Sequence, residues 1–257
     1  MLSVVILTKN EERNIEECLE SVKWADEIVL VDDCSDDKTL EIVRSEMREA
    51  GCEKIKIFSR SLDGDFARQR NFGLEKAKGD WILFVDADER VSPELRREIE
   101  SVTSYKSPLV TGFYLKRLDM IWGRELKHGE AGSVKLLRLG RKEAGKWEGK
   151  VHERWEIGVK DLGELENPLV HLPHPTMTEF LEEVNFYSTL RAKELYDQGK
   201  KTNLLEIICF PLGKFFQNWI FRLGFMDGMP GFAVALLMSF HSFLVRSKLY
   251  LLWKQGK

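Results

Sequence analysis

The sequence predicts an α/β fold with a doubly wound, mostly parallel sheet, followed by a helical C-terminal region. Three short apolar runs, at 2–7, 27–31 and 81–85, have the length and composition of strands. Continuous apolar runs of this kind are typical of strands buried on both faces of a parallel sheet. Helical patterns alternate with these strands through short links, and this order favours parallel strands joined by right-handed crossovers.

The elements of the first hundred residues follow in chain order. A helix is expected behind the acidic residues Glu11 and Glu12, a second between 36 and 51, a strand over 54–58 and a third helix over 66–78. Ser92 and Pro93 then predict a helix start, because Pro is favoured at the first helical position. Helical spacing assigns the buried faces to Ile15, Cys18, Leu19, Val22, Leu40, Val43, Met47, Leu95, Ile99 and Val102.

The pattern changes after residue 108. Strands are expected over 112–118, 133–139 and 151–157, and a long helix over 177–198. The polar turn at 140–145 is expected to present Trp147 on a loop rather than in the core. The second half of the chain therefore predicts further strands and then a helical end.

Composition sets further bounds. The 257 residues include 39 basic and 42 acidic side chains, but residues 191–257 carry ten basic and only four acidic ones. The four cysteines form no CxxC pair, which favours reduced thiols and a cytoplasmic location. No basic leader precedes the first strand, so we expect no signal peptide. The net charge of −3 by itself indicates no partner, and we expect no nucleic acid.

The two most apolar segments, 204–224 and 230–245, favour a membrane surface. A spanning helix needs about 20 apolar residues. The first segment is interrupted by Pro211 and Lys214, and the second is too short and contains His241. Apolar helix faces next to basic residues are typical of interfacial helices, so we expect peripheral attachment to an anionic membrane. The alternatives are an ordinary helical subdomain and a dimer interface.

Polar residues follow each of the three apolar runs. Asp86 and Asp88 come directly after 81–85, Thr8 ends the first run, and Asp32 and Asp33 end the second. Ligands of open α/β sheets bind outside the carboxyl ends of strands, so these side chains are expected at a ligand site. Carboxylate oxygens without a thiol favour Mg²⁺ or Mn²⁺, ions that are often shared with substrate phosphates. A solvated acidic turn is the alternative for an isolated Asp-x-Asp.

Further candidates lie elsewhere in the chain. Glu153 and the histidine before it are a candidate acid–base pair. Arg68 and Arg70 stand at i and i+2 of a predicted helix and do not share a face, so at most one is expected to face a phosphate. His171 and His174 flank a proline, which is a weak metal-binding pattern.

Four stretches carry a resemblance to a known family: SVVILTKNE at 3–11, VDDCSDD at 31–37, RQRNFG at 68–73 and DAD at 86–88. In this order and spacing they resemble family 2 glycosyltransferases with the GT-A fold, over about residues 1–100. Cys34 stands where that family usually has Gly. The segments 147–153 and 222–231 are similar to the branch that glucosylates the heptose of the lipopolysaccharide inner core.

The resemblance implies roles for the residues at the strand ends. Asp33 would accept a hydrogen bond from the base, Asp86 would approach the ribose, and Asp88 would hold Mg²⁺ or Mn²⁺ on the diphosphate. The other residues implied in nucleotide-sugar binding are Thr8, Asn10, Glu11 and Arg68.

The family inverts the anomeric centre, so the acceptor hydroxyl needs a general base. Glu153 is our candidate, with His152 and Glu148 as alternatives. The resemblance favours UDP-glucose as donor and a saccharide or lipid-linked acceptor in cell-envelope glycan synthesis.

We therefore expect a GT-A domain over 1–175 and a helical region over 176–257. Within the domain, 1–105 would bind the nucleotide sugar and 106–175 the acceptor. The expected location is cytoplasmic, peripheral on the inner face of the cell membrane. A nucleotidyltransferase is one alternative, although its first strand would be expected to run into a Gly-rich phosphate loop. A non-catalytic, membrane-associated scaffold with the same fold is the other.

Overall fold

The computed structural model describes residues 1–49, 54–104, 110–150, 153–158 and 162–256. Its helices are α1 (Ile15–Val22), α2 (Thr39–Glu49), α3 (Phe66–Lys76), α4 (Pro93–Ser104), α5 (Met177–Asp197), α6 (Leu204–Phe216) and α7 (Gly228–Lys254). Its strands are β1 (Leu2–Thr8), β2 (Glu27–Asp32), β3 (Ile55–Ser59), β4 (Trp81–Asp86), β5 (Glu89–Val91), β6 (Gly112–Ile121), β7 (Arg124–Glu125), β8 (Lys135–Arg141), β9 (Gly145–Glu148), β10 (Arg154–Ile157), β11 (Leu162–Glu164) and β12 (Leu169–His171).

The main sheet has the strand order β3-β2-β1-β4-β8-β6-β12-β5. β1 to β4 are mutually parallel, whereas β8 runs antiparallel to both β4 and β6. In this register Thr8 pairs with Asp32, and Leu7 pairs with Asp86. The predicted mostly parallel α/β sheet is thus confirmed, and the polar residues after its strands lie at one edge.

The parallel strands are buried on both faces, as their continuous apolar runs predict. Val4 and Ile6 pack into a cluster with residues of α1, α2 and α4, and Val5 and Phe84 pack into a second cluster with residues of α3. Of the helical residues predicted to face the sheet, Ile15, Cys18, Leu19, Val22, Val43, Leu95 and Ile99 are buried, and Leu40, Met47 and Val102 are partly buried.

Trp147 lies in the core, so the prediction that a loop presents it is wrong. It belongs to β9, which pairs with β10 so that Trp147 stands opposite Trp155. The two rings stack with centroids 5.6 Å apart, and both pack edge-on against Phe84. A Cβ on Gly145 would meet the carbonyl oxygen of Glu156 at 1.9 Å, so glycine permits the close approach of the two strands. The start of the strand expected over 151–157 lies outside the described residues, and β10 begins at Arg154.

The described residues form two compact units. The first comprises 1–117 and 135–171, and the second comprises 118–134 and 172–257. Residues 118–134 thus group with the C-terminal helices, although they are distant in sequence. The predicted domain boundary after residue 175 stays a prediction.

The second unit is built mainly of α5, α6 and α7. Thr176 and Glu179 form a reciprocal capping box at the start of α5, and Asn203 caps α6. The segment 230–245, predicted to be too short to span a membrane, is part of a longer helix, α7, which runs on to Lys254. In this helix the ammonium of Lys248 donates to Ser188 and Thr189 of α5 at 2.8 and 2.7 Å. Among the described residues, one stretch, 224–254, is long and apolar enough to cross a membrane by length and composition alone.

Candidate functional site

Asp86, the last residue of β4, is held between two buried arginines. Nη2 of Arg70 donates to both carboxylate oxygens, at 3.0 and 3.1 Å, and Nη2 of Arg138 donates to Oδ2 at 2.6 Å. The side chains of Arg70 and Arg138 are only 3% and 7% exposed. Burial alone would raise the pKa of Asp86, but the guanidinium groups of Arg138 and Arg70 outweigh it and hold the pKa well below its usual range. Asp86 is therefore a fixed carboxylate.

Arg70 also reaches the candidate base. Its Nε donates to Oε1 of Glu153 at 2.9 Å, and the side chain of Glu153 is 15% exposed. The ring of Trp147 lies 4.8 Å from the guanidinium, which adds a cation–π contact. One arginine thus joins Asp86 and Glu153, although 66 residues of sequence separate these acids.

Arg68 has different surroundings. It lies in the first turn of α3 with an exposed side chain, and its backbone N–H donates to Asp65, the N-cap of the helix. It lines a cavity of about 400 Å³ together with Asn71, Glu148 and Lys150. The structure thus places Arg70, not Arg68, beside Asp86, and a nucleotide-sugar contact for Arg68 stays a prediction.

Asp88 lies next to His171. Its Oδ2 is 3.0 Å from Nε2 of the imidazole, which β12 positions through the pairing of His171 with Glu89 of β5. Burial raises the pKa of Asp88, but His171 outweighs this effect and lowers the pKa below its ordinary value. Of the two histidines weighed as metal ligands, His171 is therefore beside the predicted metal carboxylate. His174 stacks on Phe180 with ring centroids 3.8 Å apart.

The ligands available at Asp88 fit a divalent ion whose coordination is completed by a substrate. Within the described ranges no group of three or more His, Cys, Asp or Glu side chains is arranged to hold a metal. Mg²⁺, and by the same oxygen preference Mn²⁺, binds through one or two carboxylates, waters and substrate phosphates. Asp88 is ionised and partly exposed, so it can supply one such ligand.

The predicted nucleoside pocket is built at the ends of β1 and β2. The hydroxyl of Thr8 is buried and has no hydrogen-bond partner among the described residues. Asp33 accepts from the backbone N–H of Leu62 at 2.7 Å, and its Oδ2 lies 3.3 Å from Nζ of Lys9. The carboxylate of Asp33 is thereby anchored at the predicted pocket.

Asn10 and Glu11 make local contacts in the same region. Nδ2 of Asn10 donates to Asp36 at 2.7 Å, and Oε2 of Glu11 accepts from Asn14 at 2.8 Å. Cys34 has a φ of 53°, in the left-handed region that favours glycine. This conformation explains why Gly is usual at that position in the family that the sequence resembles.

Sequence reasoning missed Arg138 and Glu89. Arg138 is a single cation within the apolar strand run at 136–139, a pattern that signals a buried partner. Glu89 directly follows the Asp-x-Asp motif, is almost fully buried and accepts from the backbone N–H of Asp86 at 2.8 Å. Burial raises the pKa of Glu89, and Asp86 adds to this effect against the opposing charge of Arg138.

The mostly parallel α/β sheet, with carboxylates, buried arginines and a histidine at the carboxyl ends of its strands, agrees with the GT-A fold that the sequence predicts. The model of the glycosyl transferase family 2 matches residues 3–156, and the chain belongs to that family.

The chain is also similar to two relatives in sequence and to one solved structure in fold. It is 31% identical over 259 residues to an uncharacterized glycosyltransferase of Rickettsia bellii, covering 96% of this chain and 85% of the relative. It is 30% identical to the lipopolysaccharide core biosynthesis glycosyltransferase LpsC of Rhizobium meliloti, covering 97% and 92%. The fold matches that of the mannosyltransferase PcManGT of Pyrobaculum calidifontis, solved with GDP-Man and Mn²⁺, at a TM-score of 0.57 and 15% identity over 99% of this chain and 87% of that one.

Proposed function

We propose that this glycosyltransferase inverts the anomeric centre and transfers glucose from UDP-glucose to a saccharide or lipid-linked acceptor in cell-envelope glycan synthesis. The observation that carries the proposal is the bridge from Asp86 through Arg70 to Glu153. It connects the carboxylate expected to approach the ribose of the sugar donor to the candidate base. The likeness to LpsC, a lipopolysaccharide core biosynthesis glycosyltransferase, supports the class of acceptor.

The donor would lie along the carboxyl edge of β1, β2 and β4. The buried hydroxyl of Thr8 and the anchored carboxylate of Asp33 are hydrogen-bonding groups available to a nucleoside. Nη1 of Arg70 and both Nε and Nη1 of Arg138 are buried, with no partner among the residues that the structure describes. A buried, charged N–H group without a hydrogen-bond partner is energetically costly. These N–H groups therefore fit the anionic diphosphate of a nucleotide sugar.

Asp88 would hold the divalent ion, with His171 orienting its carboxylate or joining it as a ligand. A bound Mg²⁺ or Mn²⁺ supplies Lewis-acid stabilisation of the charge that develops on the departing diphosphate. The lowered pKa of Asp88 keeps this carboxylate ionised at neutral pH, as metal binding requires.

Glu153 would take the proton from the acceptor hydroxyl. Arg70 fixes Oε1 of Glu153, and a fixed orientation is what general-base catalysis requires of a carboxylate. Of the two alternative bases, His152 lies outside the described residues, and Glu148 is exposed at the end of β9.

A thermal-shift screen of nucleotide sugars, each with and without Mn²⁺, tests the donor proposal. A ligand at 100 times its dissociation constant stabilises the fold by roughly 2.7 kcal/mol, which is measurable. We expect UDP-glucose with Mn²⁺ to give the largest shift, and proton NMR of the product to show an inverted anomeric configuration. Retention of configuration would contradict the mechanism, and a larger shift with another nucleotide sugar would contradict the donor.

A turnover assay separates an enzyme from the scaffold alternative. Hydrolysis or transfer of the sugar from the preferred donor, lost in Glu153→Gln, would support an enzyme. Donor binding without any release of nucleoside diphosphate, across saccharide and lipid-linked acceptors, would favour the scaffold.

A further inference from the structure

The second unit carries a surface on which large apolar side chains are exposed. Residues 216–229, which connect α6 to α7, form what we call the apolar tip. Phe221 and Met229 are 81% and 75% exposed, higher fractions than those of the other large apolar residues that the structure describes. The exposed apolar side chains of the tip are Phe216, Ile220, Phe221, Leu223, Phe225, Met226 and Met229. The outer face of α6 extends this surface with Leu204, Leu205, Ile208 and Leu212.

Two polar side chains of the apolar tip, Asn218 and Asp227, are buried. The carboxylate of Asp227 accepts from the backbone N–H of His128 at 2.8 Å and lies 2.7 Å from Nδ1 of the same histidine. The carbonyl oxygen of Arg222 accepts from the N–H of Gly129 at 2.9 Å. Nδ2 of Asn218 donates to Glu130 at 3.4 Å. The loop at 128–130 therefore binds the backbone and two polar side chains of the tip, while its large apolar side chains stay exposed.

The tip is closely packed against itself. A Cβ on Gly224 would meet the carbonyl oxygen of Asn218 at 2.6 Å, and a Cβ on Gly231 would meet that of Gly224 at 2.3 Å. Leu223 has a φ of 57°, a left-handed conformation that is unfavourable for leucine. The outward apolar side chains thus belong to a defined structure that tolerates local strain, and not to a loosely packed chain end.

The charged side chains of this surface favour a lipid bilayer over a second copy of the chain. The apolar tip has two charged side chains, Arg222 and Asp227, and α6 adds Glu206, which is partly buried, and Lys214, which is held in an ion pair. Asp227 is buried against His128, whereas Arg222 is exposed. The exposed charge of the tip is therefore positive, and such a surface suits anionic lipid head groups. An isologous contact between two copies would bring like charges together, with no exposed acid in the tip to neutralise them.

We propose that the apolar tip and the outer face of α6 bind the surface of a phospholipid bilayer that contains anionic lipids. The aromatic and aliphatic side chains enter the boundary between head groups and acyl chains, and Arg222 contacts the phosphates. This inference does not depend on the sugar or the acceptor of the transfer reaction.

Flotation of the full chain with vesicles tests the proposal. One set contains phosphatidylcholine alone, and the other contains phosphatidylcholine mixed with phosphatidylglycerol. We expect binding to the anionic set that Phe221→Glu and Met229→Glu each weaken about tenfold or more, since each removes a large apolar side chain from the lipid. Arg222→Gln should weaken binding to the anionic vesicles about fivefold and leave binding to phosphatidylcholine unchanged.

Phe186→Glu is the matched control, because Phe186 is an exposed phenylalanine of α5 in the same unit. It should bind vesicles as the unchanged protein does, and thermal unfolding of each variant checks the fold. Equal losses in Phe221→Glu and Phe186→Glu would overturn the proposal. So would an unchanged protein that stays soluble with both vesicle sets, or one that sizes as a dimer which Phe221→Glu converts to a monomer.

Discussion

Arg70→Lys tests the bridge that joins Asp86 to the candidate base, Glu153. The substitution keeps the positive charge but replaces a planar, forked group by a single ammonium. Arg70 donates to Glu153 at 2.9 Å and to both oxygens of Asp86 at 3.0 and 3.1 Å. An ammonium cannot reproduce this geometry toward two acids at once. Asp86 keeps its contact with Arg138 whichever acid the ammonium meets, so we expect the main loss to be the fixed orientation of Glu153.

The size of the effect follows from the contact between Arg70 and Glu153. A hydrogen bond between charged partners contributes about 1.5–3 kcal/mol, so the free energy of unfolding should fall by about this amount. Loss of a positioned general base lowers turnover by 10²- to 10⁴-fold, and a misplaced Glu153 should act near the lower limit, about 10². Donor affinity should change by less than about tenfold, because Asp86 keeps its contact with Arg138.

The assay compares Arg70→Lys with Arg68→Lys by urea unfolding, donor calorimetry and steady-state turnover. Arg68 is an exposed arginine two positions away on the same helix, so its substitution should leave the stability near that of the unchanged protein. A positioning role requires that kcat falls much more than donor affinity. A kcat for Arg70→Lys within about threefold of that of the unchanged protein would refute the bridge. A loss confined to donor affinity would assign Arg70 to donor binding alone.

Three other predictions concern the same edge of the sheet. Asp88→Asn should abolish the effect of Mn²⁺ on donor affinity in calorimetry without changing the melting temperature by much, and an undiminished Mn²⁺ effect would remove Asp88 from the metal site. Glu153→Gln should bind donor normally but turn over 10²- to 10⁴-fold more slowly, and near-normal turnover would direct attention to His152. Arg138 and Arg70 lower the pKa of Asp86, so its stabilisation is complete above an unfolded pKa of about 3.9 and is lost as the pH falls toward the folded pKa. The stability deficit of Arg70→Gln should therefore narrow in urea unfolding as the pH drops below about 4, and a constant deficit would contradict the pairing.

The parallel half of the fold could be predicted because its sequence signals are local. Strands buried on both faces are continuous apolar runs, and β1, β2 and β4 lie within a residue or so of the predicted runs. The polar residues at their carboxyl ends followed from the same runs. The β9–β10 pair could not be placed, because its position depends on contacts distant in sequence. The residues around Trp147 show neither a helical nor a strand pattern of apolar positions. Its burial results from packing on Phe84 and Trp155.

The length of the last helix could not be predicted from the sequence. The apolar segment predicted at 230–245 stops before Arg246, and sequence alone does not show whether such a cation has a partner on a neighbouring helix. α7 continues to Lys254 because Arg and Lys are good helix formers, and the ammonium of Lys248 has several partners on α5. Hydrophobic length from sequence alone underestimates a helix whose cations are bound by its neighbours.

The choice between the two arginines was within reach of the sequence. In α3 the residues that face the sheet include Arg70, Gly73 and Leu74, and the last two follow Arg70 at intervals of three and four. Gly73 marks that face, because a Cβ there would meet Cγ1 of Val5 at 2.4 Å. A glycine inside a helix is unfavourable unless close packing requires it, so Gly73 indicates the side that touches the strands. Arg70 lies three residues before it on the same side, and Arg68 does not. The spacing of RQRNFG therefore predicts that Arg70, and not Arg68, lies on the side of α3 that packs on the strands.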